Sequence, residues 1–224
     1  MDVIVLAAGR GERLRPLTDT VPKPLIPVAG RGVLLRTLDI LPPEIDRIIL
    51  VVGYLREQIR AVVGNEWKGR PVEYVSLDAL DGTGPAVRAC ESIIRGERFL
   101  VLNGDDLYGQ EDLEELLRHD RGILYYESVL PKGGDGWLVE DDLIKGFVAV
   151  APNEAGCINV NGMKLGREWF ATTPVLSPRK TNEWSLPHAI PQLLAEYKYD
   201  AIRALFWMPC GTIEELEAAE AVLS

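Results

Sequence analysis

The segment that follows the first apolar run of the chain has the composition of an anion-binding loop. Residues 3–6 predict a buried strand, and Gly9 and Gly11 follow it closely. Because glycine has no Cβ, the backbone can turn sharply there and bring several N–H groups close to a ligand. Arg13 and Lys23 add two positive charges nearby, a combination that suits a triphosphate. The alternative is an ordinary turn between a strand and a helix, with surface cations.

Two well-known phosphate loops do not fit this segment. Gly9-x-Gly11 begins like a dinucleotide-binding loop, but Leu14 stands where a third glycine is needed, and no acidic residue follows about twenty positions later. A Walker loop is excluded because no Gly-Lys-Ser/Thr sequence follows. The helix that would open directly after either loop is excluded by four prolines, Pro16, Pro22, Pro24 and Pro27.

Two carboxylates follow another apolar run. Asp105 and Asp106 come after residues 99–102, with Asn103 and Gly104 between them and the run. Carboxylate oxygens suit Mg²⁺, which usually takes one or two of them and completes its shell with phosphate and water oxygens. The alternative is that these aspartates cap the helix predicted next along the chain.

The elements around these residues alternate through the first half of the chain. Strands are predicted at residues 3–6, 47–52, 72–75 and 99–102, and helices at 33–40, 55–63, 85–94 and 111–118. This alternation predicts a doubly wound α/β fold, mostly parallel, in which ligands bind at the carboxyl ends of the strands. The glycine-rich loop and both aspartates fall at such ends.

The second half is predicted to be richer in strands. Residues 122–129, 143–150, 156–163 and 201–206 are apolar runs separated by Gly, Pro, Asp and Asn, and residues 213–223 form an amphipathic helix. We expect the loop over residues 132–136, which contains three glycines, to be the most mobile segment.

Composition narrows the classes of function. With 224 residues, 47% of them hydrophobic, the chain can bury one substantial core, and we expect a single domain over residues 1–224. A formal charge of −10 argues against nucleic acid, and no apolar run approaches the roughly twenty residues that cross a bilayer. Cys90, Cys157 and Cys210 are widely spaced and odd in number, which argues against disulfides and for a reducing cytoplasm.

The residues 6–17 together with 22–30 resemble the signature of the sugar-phosphate nucleotidylyltransferases, also called NDP-sugar pyrophosphorylases. The resemblance implies a Rossmann-like α/β fold with a nucleotide-binding half, residues 1–121, and a smaller, β-rich, sugar-binding half with a closing helix, residues 122–224. It implies the reaction of an NTP with a sugar 1-phosphate to give an NDP-sugar and pyrophosphate, with Mg²⁺ as the cofactor. A homo-oligomer is compatible with it.

The same resemblance implies roles for residues of the first half. Leu6, Ala8, Gly9 and Gly11 would surround the nucleotide, with Arg13 on the pyrophosphate and Lys23 between the two reacting phosphates. Asp105 would hold the metal with Asp106, and Asn103 and Gly104 would contact substrate.

Further positions resemble the rest of the family's site. Gly82 begins a glycine turn that would lie against the nucleobase, although a turn that starts a helix explains it almost as well. Asn161 would contact a sugar hydroxyl, and Glu183 resembles an acid that precedes a helix in the sugar half. His188 stands where relatives carry an aspartate, and a lone histidine at a helix start is more often structural.

Three departures bear on the substrate and on catalysis. Leu77 stands where relatives read the base with glutamine, Ala151 where they hold the sugar phosphate with lysine, and Pro209 where they place a second metal-binding aspartate. The base and the acceptor are therefore not named by the sequence. Two alternatives stay open: a cytidylyltransferase for a phosphorylated alcohol such as choline phosphate, and a nucleotide-binding regulatory subunit without turnover.

Overall fold

A ten-stranded sheet runs through both halves of the chain in the computed structural model, which describes residues 1–79, 81–179 and 182–224. The strands are β1 Asp2–Ala7, β2 Pro27–Val28, β3 Arg31–Gly32, β4 Arg47–Val52, β5 Glu66–Trp67, β6 Arg70–Ser76, β7 Arg98–Asn103, β8 Asp106–Tyr108, β9 Gly122–Leu130, β10 Gly134–Glu140, β11 Leu143–Val150, β12 Glu154–Gly166, β13 Asp200–Arg203 and β14 Trp207–Pro209. The α-helices are α1 Val33–Asp39, α2 Arg56–Val63, α3 Thr83–Arg88, α4 Gln110–Arg118, α5 Leu186–Ala189 and α6 Ile213–Leu223. Short 3-10 helices cover Glu12–Leu14, Leu17–Asp19, Lys23–Leu25, Arg167–Ala171 and Ile190–Leu193.

The strand order of the large sheet is β10-β11-β13-β9-β12-β7-β1-β4-β6-β5. Strands β7, β1, β4 and β6 are parallel, and in this register Leu6 of β1 lies between Asn103 of β7 and Val51 of β4. The carboxyl ends of these strands therefore meet at one edge, as the alternation of strands and helices predicts. Strand β12 is antiparallel to both β7 and β9 and joins the second half to the first. The expected α/β fold, with a parallel sheet and a β-rich C-terminal portion, is confirmed.

Two apolar layers cover the parallel strands, which explains why those strands are apolar at every position. In β4, Ile48, Leu50 and Val52 face the layer that contains α1, α2 and α4, while Ile49 and Val51 face the layer that contains α3 and α5. All five side chains are fully buried. A strand covered on both faces needs apolar residues in both registers of its pleat.

Two predicted elements are longer than the structure allows. Helix α3 ends at Arg88, not at residue 94, because the chain continues in tighter turns in which the N–H of Glu91 bonds the carbonyl of Arg88 at 3.0 Å. The predicted strand over residues 201–206 ends at Arg203. There the buried carboxylate of Asp112 accepts the N–H groups of Leu205 and Phe206 at 2.9 and 3.0 Å, which turns the chain out of the sheet.

Two other expectations are corrected as well. The loop expected over residues 132–136 becomes strand β10 from Gly134 onward, because β10 pairs with β11 and Arg179 bonds the carbonyl of Gly134 at 2.6 Å. Neither Asp105 nor Asp106 caps α4. The residue before α4 is Gly109, and Asp106 begins the short strand β8.

Candidate active site

The glycine-rich loop is held against the stem of Lys23. Gly11 has a φ of +66°, and a Cβ built there would lie 2.9 Å from both the Cβ of Lys23 and the Cγ2 of Thr18. The hydroxyl of Thr18 donates to the carbonyl of Gly11 at 2.9 Å. Only glycine suits this position, for the backbone conformation and for the contact. Gly9, by contrast, has open space where a Cβ would lie.

Lys23 forms an ion pair with Asp105. Its ammonium contacts the Oδ2 of Asp105, and the two side chains are only 13% and 28% exposed. The lysine comes from the segment after the glycine-rich loop and the aspartate from the turn after β7. The structure thus brings together two of the residues that the sequence predicts to be catalytic.

The ends of β1 and β7 are fastened to each other at Gly104. Its N–H donates to the carbonyl of Leu6 at 2.8 Å, and a Cβ there would lie 3.1 Å from that carbonyl oxygen and 3.2 Å from the Cβ of Ala7. This close approach requires a small residue at position 104. The carbonyl of Ala8 accepts the N–H of Tyr54 at 3.1 Å, which fixes the start of the loop to the end of β4.

Asp106 is a buried carboxyl group beside Asp105. The side-chain amide of Asn103 donates to its Oδ2 at 2.9 Å. Burial, and then the charge of Asp105, raise the pKa of Asp106 to about 7, although Asn103 and Lys23 act in the opposite direction. Across the β8–β14 pair, Asp106 lies opposite Pro209, which offers no carboxylate.

Gly211 lies where two cations and one carboxylate meet. A Cβ at this glycine would be 2.7 Å from the Nη2 of Arg13, 3.3 Å from the Nζ of Lys23 and 3.1 Å from the Oε2 of Glu215. Glu215 also accepts the N–H of Gly211 at 2.7 Å. Arg13 and Lys23 therefore approach the same point, at the start of α6.

The donor set fits a metal ion that arrives with phosphate. In the described ranges, no cluster of three or more His, Cys, Asp or Glu side chains could hold a metal ion alone. Asp105 and Asp106 offer two carboxylates, and the ammonium already on Asp105 shows that this position accepts a cation. Mg²⁺ commonly binds through one or two carboxylates and fills its shell with phosphate and water oxygens.

A second group of predicted residues surrounds Trp184. Gly82 has a φ of +113°, and a Cβ there would clash with the carbonyl oxygen of Trp184. The N–H of Trp184 donates to the carbonyl of Asp81 at 2.6 Å, and the N–H of Gly84 donates to the carbonyl of Trp184 at 3.0 Å. Gly82 is also the residue before α3, so the helix-start interpretation holds too. Glu183 directly precedes Trp184 and is half-buried.

Asn161 lies in an irregular part of β12 between residues 159 and 163, with a φ of +51°. Its Oδ1 accepts the side-chain amide of Asn159 at 2.8 Å. The neighbouring carbonyl of Val160 accepts the hydroxyl of Tyr108 at 3.0 Å, and that hydroxyl in turn accepts the N–H of Asn103 at 3.0 Å. Tyr108 thus connects the carboxylate turn after β7 to the strand that carries Asn161.

A cavity of about 480 Å³ opens at the carboxyl ends of β4 and β6. Arg10, Tyr54 and Leu77 line it, and the guanidinium of Arg10 lies over the ring of Tyr54 at 5.6 Å. The backbone N–H of Leu77 donates to the carbonyl of Val52 at 2.8 Å. Leu77 also packs against the apolar layer that contains α3 and α5, so the residue at position 77 is an apolar one at the edge of this cavity.

Sequence reasoning missed three residues that organise the site. The hydroxyl of Tyr108 acts through Asn103 and Val160, which no local pattern predicts. Gly211 lies in an ending, residues 207–212, that resembles the family's, but the sequence assigns no role to its bare Cα. Glu215 follows Thr212 at the spacing of a helix-capping box, and its N–H does bond the Thr212 hydroxyl at 3.3 Å. That pattern predicts a helix start but not the two cations beside it.

Known proteins match the chain over this whole site. The family model described as nucleotidyl transferase matches residues 2–122. The bifunctional protein GlmU of Methanocaldococcus jannaschii is 32% identical over 214 residues, which covers 94% of this chain and 51% of that protein. The UTP–glucose-1-phosphate uridylyltransferase AglF of Haloferax volcanii is 33% identical over 124 residues, 54% of this chain and 51% of that protein. The chain belongs to the sugar-phosphate nucleotidyltransferase family.

The fold also agrees with a solved structure of low sequence identity. The inositol-1-phosphate CTP transferase from T. maritima superposes with a TM-score of 0.79 at 18% identity, covering 98% of this chain and 93% of that one. The chain spans about half the length of the curated relatives it matches. AglF is named for UTP and glucose 1-phosphate and the T. maritima protein for CTP and inositol 1-phosphate, so these two proteins differ in nucleotide and in acceptor. None of the helices in the described ranges combines the length and the apolar character needed to cross a membrane.

Proposed function

We propose that this chain transfers a nucleotidyl group from an NTP to a sugar 1-phosphate, giving an NDP-sugar and pyrophosphate, with Mg²⁺. The observation that carries the proposal is the meeting of Arg13 and Lys23 at Gly211, with Lys23 also held by the carboxylate of Asp105 and packed on the glycine-rich loop at Gly11. A triphosphate needs several positive groups at one place in a chain whose formal charge is −10.

Positioning and charge neutralisation are the main sources of rate in phosphoryl and nucleotidyl transfer. An oxygen of the acceptor phosphate attacks the α-phosphorus in line, the bond to the β-phosphate oxygen breaks, and pyrophosphate leaves with the electron pair. Lys23 neutralises charge that develops at the α-phosphorus. Arg13 and the N–H groups of the loop around Gly9 and Gly11 neutralise the leaving group.

Asp105, with Asp106 beside it, would hold the divalent cation. Such an ion, when bound, supplies positive charge to the phosphate oxygens and fixes their orientation. Asn103 keeps the carboxylate of Asp106 in place through its amide, and Gly104 keeps the turn close to Leu6.

The acceptor half of the proposal concerns Glu183 and Asn161, and Gly82, expected against the nucleobase, adjoins Glu183. Gly82 and Glu183 are joined through Trp184, and Asn161 is tied to the carboxylate turn through Val160 and Tyr108. A group bound by Asn161 would therefore lie on a strand that is tied to the turn carrying Asp105. A sugar hydroxyl would be recognised by the Asn161 amide and by the Glu183 carboxylate.

The test is pyrophosphate release from the common NTPs with a panel of sugar 1-phosphates plus choline phosphate. Lys23→Ala should lower the rate about a hundredfold or more, since it removes a charge aimed at the reacting centre. Lys68→Ala is the matched control, because Lys68 pairs with Asp39 on the surface at 2.9 Å.

Release with one NTP and one sugar 1-phosphate, lost in Lys23→Ala and kept in Lys68→Ala, would support the proposal. Release with choline phosphate alone would replace the sugar acceptor by a phosphorylated alcohol. NTP binding without release across the panel would favour a regulatory subunit instead. Normal turnover of Lys23→Ala would contradict the assigned role of Lys23.

A further inference from the structure

Two cations would compete for one carboxylate, that of Asp105, in this site. The ammonium of Lys23 contacts the Oδ2 of Asp105, the carboxylate that would also hold the divalent cation. Both side chains are largely shielded from solvent, so the pair is only weakly screened by salt. A second cation on the same carboxylate would lie close to the ammonium and be repelled by it.

Asp106 is a poor substitute for Asp105. Asp106 is buried, with only 7% of its surface exposed. Its Oδ2 already accepts a hydrogen bond from the side-chain amide of Asn103 at 2.9 Å. Its strand partner is Pro209, which adds no oxygen ligand from a side chain. A divalent cation that enters this site therefore depends on Asp105, the carboxylate that Lys23 holds.

The ammonium of Lys23 has an alternative partner close at hand. The stem of Lys23 packs on Gly11, and its Nζ lies near Gly211 beside Arg13. A triphosphate on the glycine-rich loop would bring several negative charges to the same place. The ammonium could then leave Asp105 through a rotation of the lysine side chain, without movement of the backbone.

We propose that Lys23 acts as a gate on Asp105: it blocks binding of a divalent cation in the nucleotide-free protein and releases the carboxylate when phosphates bind. The inference rests on the proposed function, because it takes the phosphates to be those of an NTP. It predicts that nucleotide and metal ion favour each other's binding, as the reciprocity of linked equilibria requires. It also gives Lys23 two roles, one before the nucleotide binds and one after.

The test is Mn²⁺ binding to the nucleotide-free full chain, measured by electron paramagnetic resonance of the free ion. Lys23→Met and Lys23→Gln should each bind Mn²⁺ at least about tenfold more tightly than the wild-type chain, because Asp105 loses its ammonium. Lys23→Arg should stay as weak as wild type, and so should Lys68→Met, which loses a surface ammonium. Adding Asp105→Asn to Lys23→Met should abolish the gain.

Equal Mn²⁺ affinity in wild type, Lys23→Met and Lys23→Gln would overturn the gate. A gain that survives Asp105→Asn would overturn it too, because the ion would then lie elsewhere. Thermal unfolding of each variant shows that it is folded. Failure of the proposed function gives a different result, because Mn²⁺ binding needs no turnover. Tighter Mn²⁺ binding by Lys23→Met, together with no pyrophosphate release from any substrate pair by the wild-type chain, would support the gate and contradict the proposed reaction.

Discussion

The backbone of Gly82 lies against the carbonyl group of Trp184, with no space for a Cβ between them. This contact joins the turn before α3 to the segment before α5, and it is reinforced by a bond of 2.9 Å from the N–H of Leu186 to the hydroxyl of Thr83. The residues expected near the nucleobase and the residues expected near the sugar are therefore parts of one docked unit. Changes at either segment should affect the other.

Gly82→Ala should destabilise the protein strongly. The substitution combines a φ of +113° with a backbone clash, and we expect a loss of about 3 kcal/mol in the free energy of unfolding. Gly69→Ala is the matched control, since Gly69 has a φ of +81° and open space around it. It should cost about 1 kcal/mol. Urea unfolding of both variants measures the difference, and equal losses would show that the contact with Trp184 is unimportant.

Tyr108→Phe should weaken the connection between the carboxylate turn and β12. It leaves the N–H of Asn103 and the carbonyl of Val160 without their partner, at a cost of about 2 kcal/mol in stability. The KM for the acceptor should rise, because Asn161 follows Val160 directly. Tyr74→Phe loses one hydroxyl bond, to the carbonyl of Gly64 at 2.5 Å, and should leave that KM unchanged. The hypothesis fails if both variants change KM alike.

Gly211→Ala should reduce nucleotide affinity more than stability. Its methyl group would meet the Nη2 of Arg13 at 2.7 Å and the Nζ of Lys23 at 3.3 Å, which displaces two flexible cations and leaves the fold intact. Displacement of groups that bind the triphosphate should cost on the order of tenfold to a hundredfold in Kd for the NTP. Titration calorimetry measures this. Gly146→Ala, with ordinary contacts near 3.8 Å to Leu138, is the control and should bind as wild type does.

Asp2 and Arg47, the first residues of β1 and β4, form a buried ion pair. The free energy of unfolding should depend on pH because of this pair. Burial alone raises the pKa of Asp2, but the bonds from Arg47 and from the N–H of Arg95 outweigh it and hold that pKa below its usual 3.8. A carboxyl with a lowered pKa contributes stability above its unfolded pKa, and this contribution is lost as the pH falls through the folded pKa.

Asp2→Asn should therefore cost about 3 kcal/mol at pH 7, since Arg47 stays buried with Glu73 as its remaining carboxylate. The free energies of unfolding of the wild-type chain and of Asp2→Asn, each measured as a function of pH, should converge as the pH falls below 3.8. Asp120→Asn, which removes an exposed partner of Arg98, should cost less than about 1 kcal/mol. A pH-independent cost of Asp2→Asn would show that packing, not charge, holds the position.

Much of the fold could be predicted because its signals are local. The strands β1, β4 and β7 are runs of consecutive apolar residues, and the glycines and prolines after β1 mark the loop. The wrong predictions for the end of β13 and the start of β10 arise where a side chain distant in sequence determines the end of a strand. The chain leaves β13 after Arg203 because Asp112, 93 positions before Leu205, accepts the N–H groups of Leu205 and Phe206. Strand β10 begins at Gly134 because Arg179 and β11 hold it.

The sequence alone predicted which residues would carry the chemistry: Gly9, Gly11, Arg13, Lys23, Asp105 and Asp106 stand out by type and by their position after apolar runs. It also determined the fold class and the family. Only the tertiary structure decided that Lys23 pairs with Asp105, that Gly211 lies between Arg13 and Lys23, and that Tyr108 joins the two halves. The physical reason is that composition and periodicity report each residue's own preference for burial or for a turn. The ion pair of Lys23 and Asp105 spans 82 positions and the hydrogen bond of Tyr108 to Val160 spans 52, so both depend on the register of strands that no local pattern encodes.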